Sequence, residues 1–410
     1  MSEQPVQRIR ARWVLPLAGD PVENGVVEIA GQQIRQLGPA VAGEPVQDLG
    51  DLVLMPGLVN VHTHLEFSHL EQPISAGSFP DWIRSVIDYR QTDLSAPGQA
   101  AAAIAAGIQE SLNHGVTTIG EIATRGKGSE VYASLPSTSV VFREVIGLAS
   151  EDEQDHLHSV TQFLADSLQN DWQQAISPHA PYTLRDSLLD QLLDLSLAQQ
   201  LPAAMHLAES EDELQLLRDK SGALRALLED VGAWRDDAHR LQSAGDYLQR
   251  LSRLQRVLVI HGNYLEPEDW QLLASQRDNM ALVYCPRTHR HFDHPDYQLA
   301  DRLAAGVRVA IGTDSRASSP DLDLLAELKE VHRQYPQLSA ETVLQLGTVE
   351  GASALGLEGT VGQLLAGSQA NMVAVAVENP HSGDLPAAVL AESSQLVAVM
   401  CDGRWVRELL

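Results

Sequence analysis

The sequence predicts an α/β fold: a (β/α)8 barrel of the TIM type, with a small β-sandwich built from both chain ends. Three observations carry that prediction. Eight short apolar, strand-like runs recur through the middle of the chain, at 58–62, 116–119, 139–144, 174–177, 202–206, 256–261, 281–285 and 307–311. Helix-period segments fill the gaps, at 100–114, 184–199, 211–230, 244–253, 267–275 and 322–335. The two ends differ from this middle and resemble each other. Eight alternating units are what a closed parallel barrel requires. A doubly wound open sheet would call for a Gly-rich phosphate loop early in the chain, and none is present.

The N-terminal end reads as short strands at 11–15, 25–30 and 33–37, punctuated by Gly19-Asp20, Asn24-Gly25 and Gly31. The C-terminal end has strands at 371–377 and 395–400, with Gly403 in a turn before Arg404-Trp-Val. The expected division is therefore a composite sandwich of 1–55 plus 360–410 and a barrel of 56–359. Two insertions stretch the barrel spacing, at 65–99 after the first strand and at 209–254 after the fifth. Loops at strand C-termini carry function in barrels, so both read as walls of a substrate cavity.

Composition narrows the function. The chain has 410 residues, 44% hydrophobic and 20% charged, enough for a sizeable core. With 28 Lys+Arg against 55 Asp+Glu its formal charge is −27, which argues against nucleic-acid and anionic-membrane partners and for solubility. Two cysteines, Cys285 and Cys401, make no disulfide framework and point to a reducing compartment. Neither a signal peptide nor an apolar run of membrane-spanning length stands out, so a cytoplasmic protein is expected. Cys285 is expected in the core rather than as a nucleophile.

The chemistry collects at the predicted strand ends. Met55-Pro-Gly-Leu-Val-Asn-Val-His-Thr-His64-Leu-Glu-Phe-Ser68 places His62 and His64 at i and i+2, on one face of the first strand. His206 ends the fifth strand in Ala204-Met-His-Leu-Ala-Glu209, and His261 ends the sixth in Leu258-Val-Ile-His-Gly. Asp314 follows the eighth in Ala310-Ile-Gly-Thr-Asp-Ser315. An isolated HxH is weak, since most such pairs lie on surfaces or in satisfied cores. Five metal-competent side chains at four strand ends of one barrel converge on one mouth, and a metal centre is the reading that accounts for them.

The motifs PGLVNVHTH, HLAE, HG and GTDS resemble the amidohydrolase superfamily, in particular its cytosine-deaminase and triazine-hydrolase branch, over nearly the whole chain. That resemblance implies that His62, His64, His206 and Asp314 hold one divalent ion, zinc in preference to iron, with His261 as a hydrogen-bonding helper. The chain's lysines are Lys127, Lys220 and Lys329, and none is placed to bridge two metals, which favours a mononuclear site. The C-terminal return reads Gly367-Ser-Gln-Ala-Asn371-Met, a departure confined to the sandwich. The implied chemistry is hydrolytic deamination of an electron-poor ring carbon. A metal makes hydroxide available near neutral pH, Asp314 takes the water proton, and Glu209 protonates the adjoining ring nitrogen. Glu209 competes with a helix-capping role, but Ser210 and Glu213 can supply the capping box and leave it free.

Three features bear on a small-molecule substrate. Phe67 and Trp82 lie in or near the first insertion and can stack on a heterocycle, although Trp82 also suits a lid core. With His179-Ala-Pro-Tyr182 these stretches look like the aminodeoxyfutalosine deaminases of the alternative menaquinone pathway, which implies Glu66, Ser68 and Glu144 near the substrate and His179 near the purine. Cys285-Pro-Arg-Thr-His-Arg-His291 follows the seventh strand, and Arg287 and His289 are expected to face the mouth and read a ribose or an anionic group. The Thr288-His289-Arg290 run departs from the Ser-Asn usual after Cys-Pro-x, which leaves the substrate's identity open. Glu121 is expected to pair with a buried arginine such as Arg143. Adenosine, methylthioadenosine and S-adenosylhomocysteine are the other adenine substrates in view. Triazine, guanine, cytosine and cyclic-amide hydrolysis form the alternative, and a scaffold without catalysis is disfavoured by the intact ligand set. The insertion loops also offer a homodimer surface.

Overall fold

Each of the eight apolar runs forms a strand of one parallel sheet: β1 (Leu58–Thr63), β2 (Val116–Ala123), β3 (Val140–Val145), β4 (Gln173–Pro178), β5 (Ala203–Leu207), β6 (Val257–His261), β7 (Met280–Tyr284) and β8 (Val309–Ile311). Their order in the sheet is their order in the chain. The computed structural model describes residues 6–39, 45–75, 77–124, 129–149, 153–238, 242–379 and 383–408.

Near-continuous hydrophobicity is what a strand covered on both faces needs. On β5, Ala203, Met205 and Leu207 pack outward with helix residues such as Leu192 and Leu248. Ala204 joins Phe142, Leu258, Ile260, Val283 and Ala310 in a second cluster. His206 shares the Ala204 face by alternation, which aims it along the sheet's inner side. The sheet curls until its edges meet. Thr63 bridges to Asp314 in parallel, the Asp314 N–H donates to the His62 carbonyl at 3.1 Å, and the Thr63 hydroxyl donates to the Asp314 carbonyl at 2.9 Å. Gly312 permits this approach, since a Cβ there would lie 2.8 Å from the His62 Cβ.

The chain ends build the other sheets. A six-stranded sheet runs Arg404–Arg407, Gln395–Cys401, Met372–Ala376, Val53–Pro56, Trp13–Val14, Val22–Glu23, so both termini share it. A four-stranded sheet of Gln33–Pro39, Gly25–Ala30, Val6–Arg10 and Gln47–Asp48 covers it. Between the two, Ile9, Val27, Ile29 and Ile34 meet Leu54, Met372 and Met400 in one apolar cluster.

Several boundaries differ from expectation. β2 continues to Ala123 instead of stopping at 119. The strand Val6–Arg10 was not anticipated, because its alternation Gln7, Arg8, Arg10 hides a single buried Ile9. The helix expected over 211–230 is two helices, Glu211–Asp219 and Ala223–Asp230. Lys220 at φ 51° and Gly222 at φ 98° break it, since left-handed residues end a helix. The first insertion folds as a helix, Phe79–Thr92, with Ser78 accepting from the Asp81 N–H as its N-cap. Among the described residues no helix is long and apolar enough to cross a membrane.

Candidate active site

The strand ends deliver their polar side chains to one place. Ligand atoms of His62, His64 and His206 lie within 4.8 Å of one another, and so do those of His62, His261 and Asp314. His64 Nε2 stands 3.4 Å from His206 Nε2, and Asp314 Oδ1 is 3.6 Å from His62 Nε2 and 3.9 Å from His64 Nε2. Three non-glycine residues at this mouth, Ala208, His261 and Asp314, have φ of 52°, 65° and 56°. Such conformations cost on the order of 1–3 kcal/mol each and persist where the surroundings over-determine them. Here the surroundings are explicit. Asn60 accepts from the Thr313 N–H at 3.1 Å and donates to the Thr313 hydroxyl at 2.8 Å, while Ser318 donates to Asp314 Oδ2 at 3.1 Å.

Whether these residues suit a metal can be judged from their unmet needs. Both ring nitrogens of His62 and Nδ1 of His64 are buried without a hydrogen-bond partner. Buried polar atoms are rarely left so, and an ion is the occupant that accepts several imidazole lone pairs at once. Burial lowers His64, His206 and His261 well below the ordinary histidine range, so each presents a neutral imidazole. For Asp314 burial acts to raise the carboxyl, and contact with His62 together with the nearby His261 and His64 more than reverses it. Neutral imidazoles and an ionised carboxylate are the donor set of a divalent zinc or iron site. Lys220 donates to the Asp236 carbonyl and Lys329 to that of Ser394, away from the cluster, and Lys127 lies outside the described residues.

Glu209 stands over this cluster, 6% exposed, with Oε1 3.5 Å from His261 Nε2. The left-handed Ala208 turns the chain back after β5. Ser210 accepts from the Glu213 N–H at 3.2 Å, and the Glu213 carboxylate accepts the N–H groups of Ala208 and Glu209 at 2.9 Å each. Capping is therefore done by Ser210 and Glu213, although Glu213 reaches past the cap to the two preceding amides. The Glu209 side chain stays unclaimed by the helix. Burial, with Asp314 and Glu213 adding negative charge, raises its carboxyl well above the usual range.

A cavity of about 450 Å³ opens above these groups, lined by His64, His206, Glu209, His261 and Asp314 at one end. Both insertions wall it, through Phe79, Trp82 and Val86 on one side and Leu224, Leu227 and Leu228 on the other. Phe67, Trp82 and His179 line it as the sequence suggests. Trp82 also stacks on Phe79 and donates its indole N–H to the Ala317 carbonyl, so cavity wall and lid core are one role. Glu66 and Glu144 sit just behind the wall around Arg90. The Arg90 guanidinium donates to Glu66 at 2.8 Å and to the Thr124 hydroxyl at 3.1 Å, and lies 3.9 Å from Glu144. His179 Nε2 is 3.8 Å from Glu144, and its Nδ1 is 2.8 Å from the Thr183 hydroxyl. Arg90 was missed in the sequence, though Trp82, Val86 and Arg90 share one helix face at four-residue spacing, which is the signal that would have found it.

Four expectations fail. Ser68 faces Gly107 of the helix Gln99–Asn113, where a Cβ would meet its hydroxyl at 2.2 Å, and does not line the cavity. Arg287 and His289 do not reach the mouth. Pro286 starts a helical turn, Pro286–His291, straight after β7, and the change of period from 2 to 3.6 rotates both away. Arg287 is buried against Glu327 at 2.6 Å and Asp321 at 2.7 Å. His289 is enclosed by Tyr284, His294 and Tyr297. The cationic lining that suggested an anionic substrate is thus a structural ion pair. Glu121 accepts from the Leu65 N–H at 3.0 Å, while Arg143 donates to the Ala123 and Thr124 carbonyls, so that pair does not form. Arg287→Met is expected to destabilise the fold by about 3–5 kcal/mol in urea titration, by leaving Glu327 buried and unpaired, with KM unchanged. A raised KM at undiminished stability would return Arg287 to substrate recognition.

The sequence and the fold have known counterparts. The chain is 26% identical to a 5-methylthioadenosine/S-adenosylhomocysteine deaminase of Moorella thermoacetica over 393 residues, covering 90% of this chain and 85% of that protein. It is 26% identical to an adenosine deaminase of Helicobacter pylori over 324 residues, 78% of each. Its structure matches that of Helicobacter pylori aminofutalosine deaminase in complex with methylthio-coformycin with a TM-score of 0.86 at 22% identity, covering 98% of this chain and all of that one. A Xanthomonas campestris adenosine deaminase with bound zinc matches with a TM-score of 0.82 at 21% identity, covering 99% and 94%. The amidohydrolase family model matches residues 53–406, from the strand before β1 to the last strand of the sandwich, and the chain belongs to that family.

Proposed function

We propose that the protein is a zinc-dependent aminohydrolase that converts an adenine nucleoside derivative to its hypoxanthine counterpart and ammonia. The observation that carries this reading is Glu209, a buried carboxyl 3.5 Å from His261 at the floor of a cavity it shares with three of the imidazoles and Asp314. An amide needs its carbonyl polarised, but an amino-substituted ring needs a proton delivered to the ring nitrogen beside the attacked carbon. Names carried by the relatives agree with a nucleoside deaminase.

His62, His64, His206 and Asp314 would hold the ion. A divalent cation there supplies an acidified water as nucleophile near neutral pH. Asp314 accepts the proton that water gives up, and His261 orients that water and supports the developing oxyanion by hydrogen bonding. Glu209 delivers a proton to the adjoining ring nitrogen as the carbon becomes tetrahedral. The amino group then leaves as ammonia with the proton Asp314 took from water, while the new hydroxyl gives its proton back to Glu209 and becomes the carbonyl, so the ring carbon gains oxygen and loses its amino nitrogen. Phe67 and Trp82 hold the heterocycle by its faces, and His179, steadied by Thr183 and Glu144, meets its edge. The described residues of 1–55 and 360–410 act as one accessory unit beside the barrel. Two buried free cysteines fit a cytoplasmic setting.

The test is ammonia release by metal-loaded protein from adenosine, methylthioadenosine, S-adenosylhomocysteine and 6-aminodeoxyfutalosine. Turnover of at least one is expected, and turnover of the last would connect the protein to menaquinone synthesis. Failure on all four, with hydrolysis of a chlorotriazine or a cyclic amide, would replace this reading with the other one open to the same fold.

A further inference from the structure

The turn that leaves β6 is held from two sides. His261 and Gly262 take successive left-handed conformations, φ 65° and 59°, so the chain doubles back straight after the strand. On one side this turn is joined to the exit of β5. The Gly262 N–H donates to the Leu207 carbonyl and the Tyr264 N–H to that of Ala208, each at 3.0 Å, and the Asn263 amide donates to the Glu209 carbonyl at 3.0 Å. The turns that carry His261 and Glu209 are therefore one unit. On the other side stand Tyr297 and Arg302, the second of them on the short helix Leu299–Ala304 between β7 and β8. The Tyr297 hydroxyl donates to the His261 carbonyl at 2.9 Å. Arg302 Nη1 donates to the Gly262 carbonyl at 2.8 Å and Nη2 to the Asn263 carbonyl at 3.3 Å.

Arg302 is 2% exposed, and its guanidinium lies 4.0 Å from the centre of the Tyr297 ring and 5.0 Å from that of Trp270. A buried cation is costly unless its partners are well placed, and here they are two successive carbonyls of one turn. A planar group with several fixed N–H donors can span both, which an ammonium cannot do. Neither Tyr297 nor Arg302 lines the cavity, so both act through the backbone they hold. We propose that they are positioning residues, fixing residues 261–263 so that the His261 imidazole and the Glu209 carboxyl stay 3.5 Å apart on the same reacting atoms. Left-handed non-glycine residues persist only where their surroundings over-determine them, and for His261 these bonds do so. The inference takes from the reading above only the roles of His261 and Glu209. A displacement of about 1 Å at such groups lowers a rate by about 10²-fold.

Two variants of the full-length, zinc-loaded protein test it. Tyr297→Phe removes one hydroxyl and keeps the ring, and Arg302→Lys keeps the charge without the reach to both carbonyls; the first carries the test if the second does not fold. Tyr297→Phe is expected to lower kcat about 10-fold and Arg302→Lys about 100-fold, each with KM within about 2-fold of wild type. In a His261→Asn background Tyr297→Phe is expected to cost less than about 2-fold, because asparagine accepts the left-handed backbone but leaves no imidazole to position. Hydrogen exchange, which needs no substrate, is expected to quicken by about 10-fold or more at the Gly262 and Tyr264 amides, with the other strand exits unchanged. Unchanged exchange at those amides, an unchanged kcat, or an equal loss in the His261→Asn background overturns the inference and leaves deamination standing. If the wild-type protein turns over no adenine nucleoside, the nucleoside reading falls, and the exchange rates alone then decide whether Tyr297 and Arg302 hold the turn.

Discussion

Glu209→Gln is expected to lower kcat/KM on the protein's nucleoside substrate by about 10³-fold or more while the fold and metal content stay normal. The amide is nearly isosteric, and the backbone around it is fixed independently. Glu213 holds the Ala208 and Glu209 amides, and Asn263 donates to the Glu209 carbonyl at 3.0 Å. What the amide lacks is a transferable proton. Ammonia release measured beside elemental analysis and circular dichroism separates lost chemistry from lost structure. Near-normal activity would take Glu209 out of the mechanism, and loss of metal would recast it as part of the ion's support.

Stripping the metal is expected to reduce turnover by more than about 10³-fold and to lower Tm, with both restored by about one zinc per chain. The stability change follows from the site itself. Without an ion, three imidazoles and a carboxylate are buried side by side, and both nitrogens of His62 go without partners. His206→Ala should lose the ion even at excess zinc. Elemental analysis of the reconstituted protein checks the stoichiometry. A second tightly held ion would overturn the mononuclear reading and direct attention to Glu144, His179 and His206, whose ligand atoms also lie within 4.8 Å of one another.

What could be read along the chain followed from periodicity and from strand ends. A buried parallel strand is a continuous apolar run, and a barrel has one place for the residue that follows it. Eight runs and their exits therefore located His62, His64, His206, His261 and Asp314 without any knowledge of contacts. Glu209 was legible for the same reason, since it leaves β5 on a short turn. The reading failed where a side chain's direction depended on what the backbone did after the strand. Arg287 and His289 were placed by strand alternation, but Pro286 switches the chain to helix and turns them to Glu327 and to an aromatic cage. Ser68 belongs to a helical turn after β1 and faces Gly107.

The sequence by itself determined the barrel, the composite sheet at its side and the donor set at its mouth, because each is written in local spacing that survives whatever the rest of the chain does. Only the tertiary structure decided the substrate wall. Arg90, Ile146 and Leu228 come from three segments far apart in the chain. Whether a guanidinium there reads a ligand or is spent on Glu66 depends on which carboxylate arrives beside it, and that is set by how the helix Phe79–Thr92 folds back over the turn that follows β1.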